Sequence, residues 1–300
     1  MRTVFLGTSE FAAEVLGRLA LSPHRPNLVI TRPDRPRGRG RKLTAPPVAE
    51  AAARLGIETF QPDDVNAEES RERIAALEPE ALPICAYGAL IKDPLLSEHE
   101  FVNVHPSLLP RWRGAAPVER AIEAGDEETG VTIMRLAAEL DAGPIGLQRG
   151  EPIHSDDDYG ALAARLAVLA GELLVEALDA PPPWREQSDQ GVSYAEKIGP
   201  ADRQLDPARS AQELERRVRA LTPHIGAFLP LGPDERLGIR RVCLTADGAD
   251  IEEGRLAVRD DRLLLGTSSG ALELIEVQPP GGRAMSAGDY LRGHGAAIAG

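Results

Sequence analysis

Cysteine is nearly absent: the 300 residues hold only Cys85 and Cys243. Two cysteines cannot build a disulfide framework or a CxxC metal knuckle, and the reading is a protein of a reducing compartment, most simply the cytoplasm. No apolar run is long enough to span a bilayer, and no membrane contact is expected. The first twenty residues carry Arg2, Glu10, Glu14 and Arg18, so no signal peptide is expected. Positive charge is also in deficit, with 34 Lys and Arg against 47 Asp and Glu and a net charge of −13. That balance excludes a surface coated with basic groups for nucleic acid, but it leaves room for a local basic patch.

Common nucleotide and hydrolase signatures are missing as well. The turn Gly7-Thr-Ser-Glu-Phe-Ala12 lacks the GxGxxG glycines that let a backbone approach a pyrophosphate, and no GxxxxGK[ST] loop occurs. Binding of NAD or ATP in the usual manner is therefore not expected. There is no GxSxG elbow. The six histidines are scattered without HExxH or another zinc-ligand spacing, so no metal is expected.

What is present divides the chain in two, as its length suggests at roughly 150 residues per domain. Apolar strand segments near 3–7, 28–31, 56–60, 81–86 and 101–104 alternate with helical spacings such as Phe11, Val15, Leu16 and Leu19. Strands alternating with helices predict an α/β fold on a parallel sheet covered on both faces. Further strands are read near 129–136 and 145–153, and a helix after Ser155, with Ser155 and Asp158 as its capping pair. Ala180-Pro-Pro-Pro183 ends that helix, and the Gly, Pro, Ser and Asp content up to about 207 reads as a linker. After one amphipathic helix over 210–221, short strands separated by Asp247-Gly248 and Gly281-Gly282 predict a small all-β domain.

Two features carry chemistry. Residues 101–117 read Phe-Val-Asn-Val-His-Pro-Ser-Leu-Leu-Pro-Arg-Trp-Arg-Gly-Ala-Ala-Pro. Alternation places Asn103 and His105 on one face at the carboxyl end of a strand, where open α/β sheets bind ligands. An amide beside an imidazole can hold an oxyanion, the imidazole also moving a proton near neutral pH; alternatively both are satisfied structural residues. Asp141, in Glu139-Leu-Asp141-Ala-Gly-Pro144, is either a turn residue or a carboxylate near His105. The second feature is the run Arg-Pro-Asp-Arg-Pro-Arg-Gly-Arg-Gly-Arg-Lys over 32–42, a concentrated positive patch in an acidic chain. Without further information it reads as a solvated loop.

These segments together resemble the methionyl-tRNA formyltransferases. The resemblance extends over nearly the whole chain, from Phe-Leu-Gly-Thr at the start through the Arg-rich run, Ala86-Tyr-Gly88, the Asn103 to Pro117 stretch and Leu140-Asp141, to Tyr194-Ala and Met285-Ser-Ala. It implies a Rossmann-like formyltransferase domain over 1–185, a linker over 186–207 and an OB-like barrel over 208–300. It also implies formyl transfer from 10-formyltetrahydrofolate to initiator methionyl-tRNA by a monomer without metal. Asn103, His105 and Asp141 fall on the family's catalytic set; Asn103 and His105 are assigned to the oxyanion, and Asp141 to orienting His105 and relaying protons. Folate contacts are expected at Tyr87, Gly88, Leu90, Ser107, Leu108, Leu109 and Pro110. Arg35, Arg37, Arg39, Arg41, Lys42, Arg111 and Arg113 are expected to meet tRNA, the Arg-rich loop being mobile until RNA orders it. Rival readings are a folate-dependent formyltransferase for a nucleotide or amino sugar, a 10-formyltetrahydrofolate hydrolase, and a non-catalytic tRNA-binding protein. Thr222-Pro-His-Ile-Gly226 departs from the family's Asn-Pro-Trp-Pro-Gly, and Pro106 stands where Gly is common.

Overall fold

The computed structural model describes residues 1–300 except Gly38, Arg39, Pro233, Asp234, Ala249, Ala299 and Gly300. The expected contact residue Arg39 thus lies outside the described residues, as does the side chain of Arg37. The chain forms two compact units. The first comprises Met1–Pro117, Glu128–Pro152 and Ala163–Ala195; the second comprises Val118–Glu127, Ile153–Leu162 and Glu196–Gly300.

Up to residue 195 the elements are β1 (Val4–Gly7), α1 (Glu10–Ala20), β2 (Leu28–Ile30), β3 (Arg35–Arg37), β4 (Lys42–Thr44), α2 (Pro47–Leu55), β5 (Thr59–Phe60), α3 (Glu68–Ala75), β6 (Leu82–Cys85), α4 (Leu95–Glu98), β7 (Phe101–His105), β8 (Arg113–Gly114), α5 (Pro117–Ala124), β9 (Glu128–Arg135), β10 (Ile145–Pro152), α6 (Tyr159–Asp179) and β11 (Tyr194–Ala195). Seven strands form one sheet in the order β10-β9-β7-β6-β1-β2-β5. From β5 to β7 all neighbours are parallel, and β1, β2 and β6 are buried at every position, as their unbroken apolar sequences require. Beyond β7 the pairing turns antiparallel: β9 runs against β7, and β10 against β9, the last two joined as a hairpin across residues 136–144.

The chain moves outward from β1 to β2 and β5, then returns to β6 on the other side of β1. That reversal opens a crevice at the carboxyl ends of β1 and β6, beside the end of β7. Gly7 closes β1 there because a Cβ would stand 2.7 Å from the Phe5 ring and 3.1 Å from the Cys85 carbonyl.

Local signals are met with one correction. The Ser9 side chain caps α1, and Gly56 ends α2 at a φ of 65°, a conformation that glycine adopts without cost. The capping pair read at Ser155 and Asp158 is not formed. Instead α6 begins at Tyr159 and the Asp158 carboxylate accepts from Ala161 N at 2.9 Å, so Asp158 is itself the cap. Asp157, whose carboxylate accepts from His154 N, holds the preceding turn. The Arg-rich run, read as a loop, is instead a two-stranded ribbon in which Arg35 pairs with Thr44, Pro36 with Leu43 and Arg37 with Lys42.

The second unit adds α7 (Ala211–Leu221), β12 (Ala227–Pro230), β13 (Arg236–Thr245), β14 (Leu256–Arg259), β15 (Arg262–Gly266), β16 (Ala271–Gln278), β17 (Met285–Ser286) and α8 (Ala287–Ile298). Its sheet is antiparallel throughout, in the order β12-β13-β16-β15-β14, with β17 on β16. Register shifts between Ile239 and Val242 bend β13, so that both halves of this long strand wrap the same core. That core joins Leu214, Val218 and Leu221 of α7 to Leu237, Ile239, Leu265, Leu272 and Val277. Ser210 and Glu213 form a reciprocal capping box at the start of α7. Ser210→Ala is expected to cost about 1 kcal/mol. In a thermal melt this corresponds to a fall of about 3–5 °C for a unit of this size, and an unchanged melt would remove the cap from the stability of the unit.

Candidate active site

Strand β7 delivers Asn103 and His105 to one face, both buried at 8% and 4% exposure. His105 Nε2 lies 2.8 Å from the Trp112 carbonyl. A carbonyl can only accept, so Nε2 carries the hydrogen and Nδ1 is the nitrogen left for chemistry. Nδ1 faces Asp141 Oδ2 at 3.7 Å. The same carboxylate oxygen accepts from Gly114 N at 2.9 Å. The sequence thus correctly brought a carboxylate near His105, but the bond that orients the imidazole comes from Trp112 and not from Asp141.

The Asn103 side chain has no hydrogen-bond partner among the described residues. A carboxamide carries two donors and an acceptor, and here they are left for water or a ligand. Such a group is suited to a ligand that completes it.

The loop after β7 is built by its own polar groups. The Ser107 hydroxyl donates to the Arg111 carbonyl at 2.7 Å, and Thr132 Oγ1 donates to the Ser107 carbonyl at 2.7 Å. Thr132 Oγ1 in turn accepts from Leu109 N at 3.1 Å and from Gln148 Nε2 at 2.9 Å. Leu109 packs against Met134 and Ile145. The Ser107 and Leu109 side chains are both buried and engaged in holding the loop. Leu108 and Pro110 are half-buried. The Tyr87 ring lies in the sheet core, and burial raises the pKa of its phenol. In the 86–90 loop Ala86, Gly88 and Leu90 are exposed.

The basic residues also separate. Arg35, Arg41 and Lys42 are exposed on the β3–β4 ribbon, and the exposed Arg111 lies over the Trp112 ring at 4.3 Å. Arg113 does not face solvent. It is 7% exposed, and its Nε and Nη2 donate to Gln187 Oε1 at 3.1 and 2.8 Å, so the expected RNA contact there is corrected to an internal one. Sequence reading missed Thr132, Gln148, Gln187 and Ser193. Thr132 had a signal, a lone polar residue between Val131 and Ile133; Gln187 and Ser193 had none. Among the described residues no group of His, Cys, Asp and Glu is arranged to hold a metal ion, and no helix is long and apolar enough to cross a membrane.

A carboxamide without a hydrogen-bond partner among the described residues and an imidazole whose Nδ1 faces a carboxylate, set at the carboxyl edge of a Rossmann-like sheet, can hold an oxyanion and move a proton, which is the chemistry of acyl transfer. Family comparison agrees with that class. Residues 1–178 match the model described as formyl transferase, and residues 197–295 match formyl transferase, C-terminal domain. A methionyl-tRNA formyltransferase of Methylococcus capsulatus is 44% identical over 301 residues, covering 98% of this chain and 97% of that protein. The chain belongs to the formyl transferase family, among the methionyl-tRNA formyltransferases. Solved structures share the fold. A methionyl-tRNA formyltransferase from Clostridium thermocellum superposes with a TM-score of 0.58 at 15% identity, covering 82% of this chain and 95% of that one. HypX from Aquifex aeolicus, in complex with tetrahydrofolic acid, gives 0.64 at 17% identity over 97% of this chain and 47% of that one.

Proposed function

We propose that the protein transfers the formyl group of 10-formyltetrahydrofolate to the α-amino group of initiator methionyl-tRNA, in the cytoplasm. The observation that carries this reading is the Asn103 amide, without a hydrogen-bond partner among the described residues, on the same strand face as His105, whose Nδ1 faces the Asp141 carboxylate. Little activation of the nucleophile is needed: α-amino groups titrate at about 7.7–8.0, and an adjacent ester lowers this further. The demanding step is the tetrahedral adduct formed when the amine attacks the formyl carbon. Its oxyanion takes a hydrogen bond from the Asn103 amide, and from His105 Nδ1 when that nitrogen is protonated. As the folate nitrogen leaves, it must gain a proton while the attacking amine loses one. His105 Nδ1, facing the Asp141 carboxylate, can carry that proton, with water bridging where the distance requires it. No covalent enzyme intermediate is needed.

Exposed Gly88 and Leu90 on one side, and the loop carrying Leu140 and Asp141 on the other, offer surface for the folate. The exposed cations of the β3–β4 ribbon offer contacts to the phosphates of the acceptor stem. The test is formyl transfer to charged initiator methionyl-tRNA, with free methionine and no-acceptor controls. Transfer to the charged tRNA alone supports the reading. Formate release without acceptor would make the protein a hydrolase, and absence of both activities would require another amine substrate.

A further inference from the structure

We propose that Gln187 is a positioning residue for formyl transfer, holding the Asp141 carboxylate at its working distance from His105; this rests on the catalytic set proposed above. Gln187 lies in the stretch that the sequence presents as a linker. Residues 184–195 instead run along the walls of the site. Arg185 and Ile145 exchange backbone hydrogen bonds of 2.7 and 2.9 Å, and β11 pairs with β8. Ser193 Oγ accepts from Trp112 N at 2.9 Å, steadying the residue whose carbonyl orients His105.

Gln187 meets the other wall. Its Nε2 donates to the carbonyls of Asp141 and Gly143, both at 2.8 Å, while its Oε1 receives Arg113. All of its hydrogen-bonding directions have a defined partner, and the orientation of the amide is unambiguous. Turned over, it would set a carbonyl against two carbonyls and an NH2 against a guanidinium.

The group so held is under constraint. Asp141 has a φ of 47°, in the left-handed region that non-glycine residues avoid and keep only where their surroundings impose it. The loop has no slack, since a Cβ on Gly143 would stand 2.1 Å from the Arg135 carbonyl. Gln187 ties the backbone of Asp141 itself and the residue two further on. Through Arg113 it also ties the residue preceding Gly114, whose N–H holds the Asp141 carboxylate. One side chain from a distant segment thus controls both the backbone and the carboxylate of Asp141.

Gln187→Glu separates this role from a simple tie. A carboxylate keeps Arg113 paired but replaces both donated bonds with repulsion against the Asp141 and Gly143 carbonyls. Gln187→Met removes all four bonds at similar volume and serves as the test if the charged variant does not fold. Misplacing a catalytic group by about 1 Å can cost on the order of 100-fold. We expect either variant to lower kcat by about 10- to 100-fold, with KM for the formyl donor and for charged tRNA within about twofold of the parent. A folded variant with parental kcat, or a loss confined to KM, overturns the proposal. Asp141→Asn and Asn103→Ala, measured alongside, tell the two readings apart. If those keep full kcat, the proposed site fails and the positioning role with it; if they lose kcat while the Gln187 variants do not, only the positioning role is lost.

Discussion

Asn103→Ala is expected to lower kcat for formyl transfer by about 10²- to 10³-fold, the usual cost of losing one oxyanion donor, while tRNA affinity stays near the parental value. The structure makes this prediction sharper than the sequence could. A structural asparagine is held by protein hydrogen bonds, and removing it strands its partners at a cost of about 1–3 kcal/mol. The Asn103 amide has no partner to strand among the described residues. The melting temperature of the alanine variant should therefore be unchanged or slightly raised, as expected when an unmatched polar group is removed from an enclosed site. Steady-state kinetics with a thermal melt on the same preparation checks both halves. A fall in melting temperature with parental kcat would make Asn103 a structural residue. His105→Ala should show a kcat loss of similar size but also lose stability, because it leaves the Trp112 carbonyl without its donor.

The second large effect concerns RNA. Replacing Arg35, Arg41 and Lys42 together with glutamine should weaken tRNA binding and flatten its dependence on salt. Each phosphate contact contributes about 0.7–0.9 to the slope of log affinity against log salt, so three lost contacts reduce the slope by about 2–3. Between 50 and 200 mM salt the parent should then lose about 20- to 40-fold more affinity than the variant. The expectation is strong because the chain as a whole carries a charge of −13, so long-range attraction to RNA must come from local cations. Turnover at saturating tRNA should be unaffected. A slope equal to the parent's would remove the ribbon from the interface.

Much of the site is legible in the order of the residues alone. Asn103 and His105 can be placed together because strand alternation is a property of the backbone, and β7 can be placed because its neighbours in sequence are apolar. The amphipathic helix over 210–221 follows from equally local spacing. The other placements share a different origin. Arg113 and Tyr87 carry no mark in the chain that says which way their side chains turn. Arg113 turns inward because Gln187, 74 residues away, accepts from it; Tyr87 turns inward because the carboxyl end of β6 leaves its ring a place in the core. Asp158 displaced Ser155 as a cap because both spacings were acceptable locally, and the turn that Asp157 closes on His154 chose between them.

Composition and short-range pattern were thus enough to identify two domains, the alternation of strands and helices in the first, the Asn103 and His105 pair and the basic patch. Each of these depends on a repeat, a turn or a charge count that operates within a few residues. The distance from Asp141 to His105, the hydrogen bond that holds the Asp141 carboxylate, and the conversion of an apparent linker into a brace on the site depend on segments 27 to 74 residues apart meeting in space. Such contacts are set by packing and by the need of each buried polar group for a partner, and neither is written in the order of neighbouring residues.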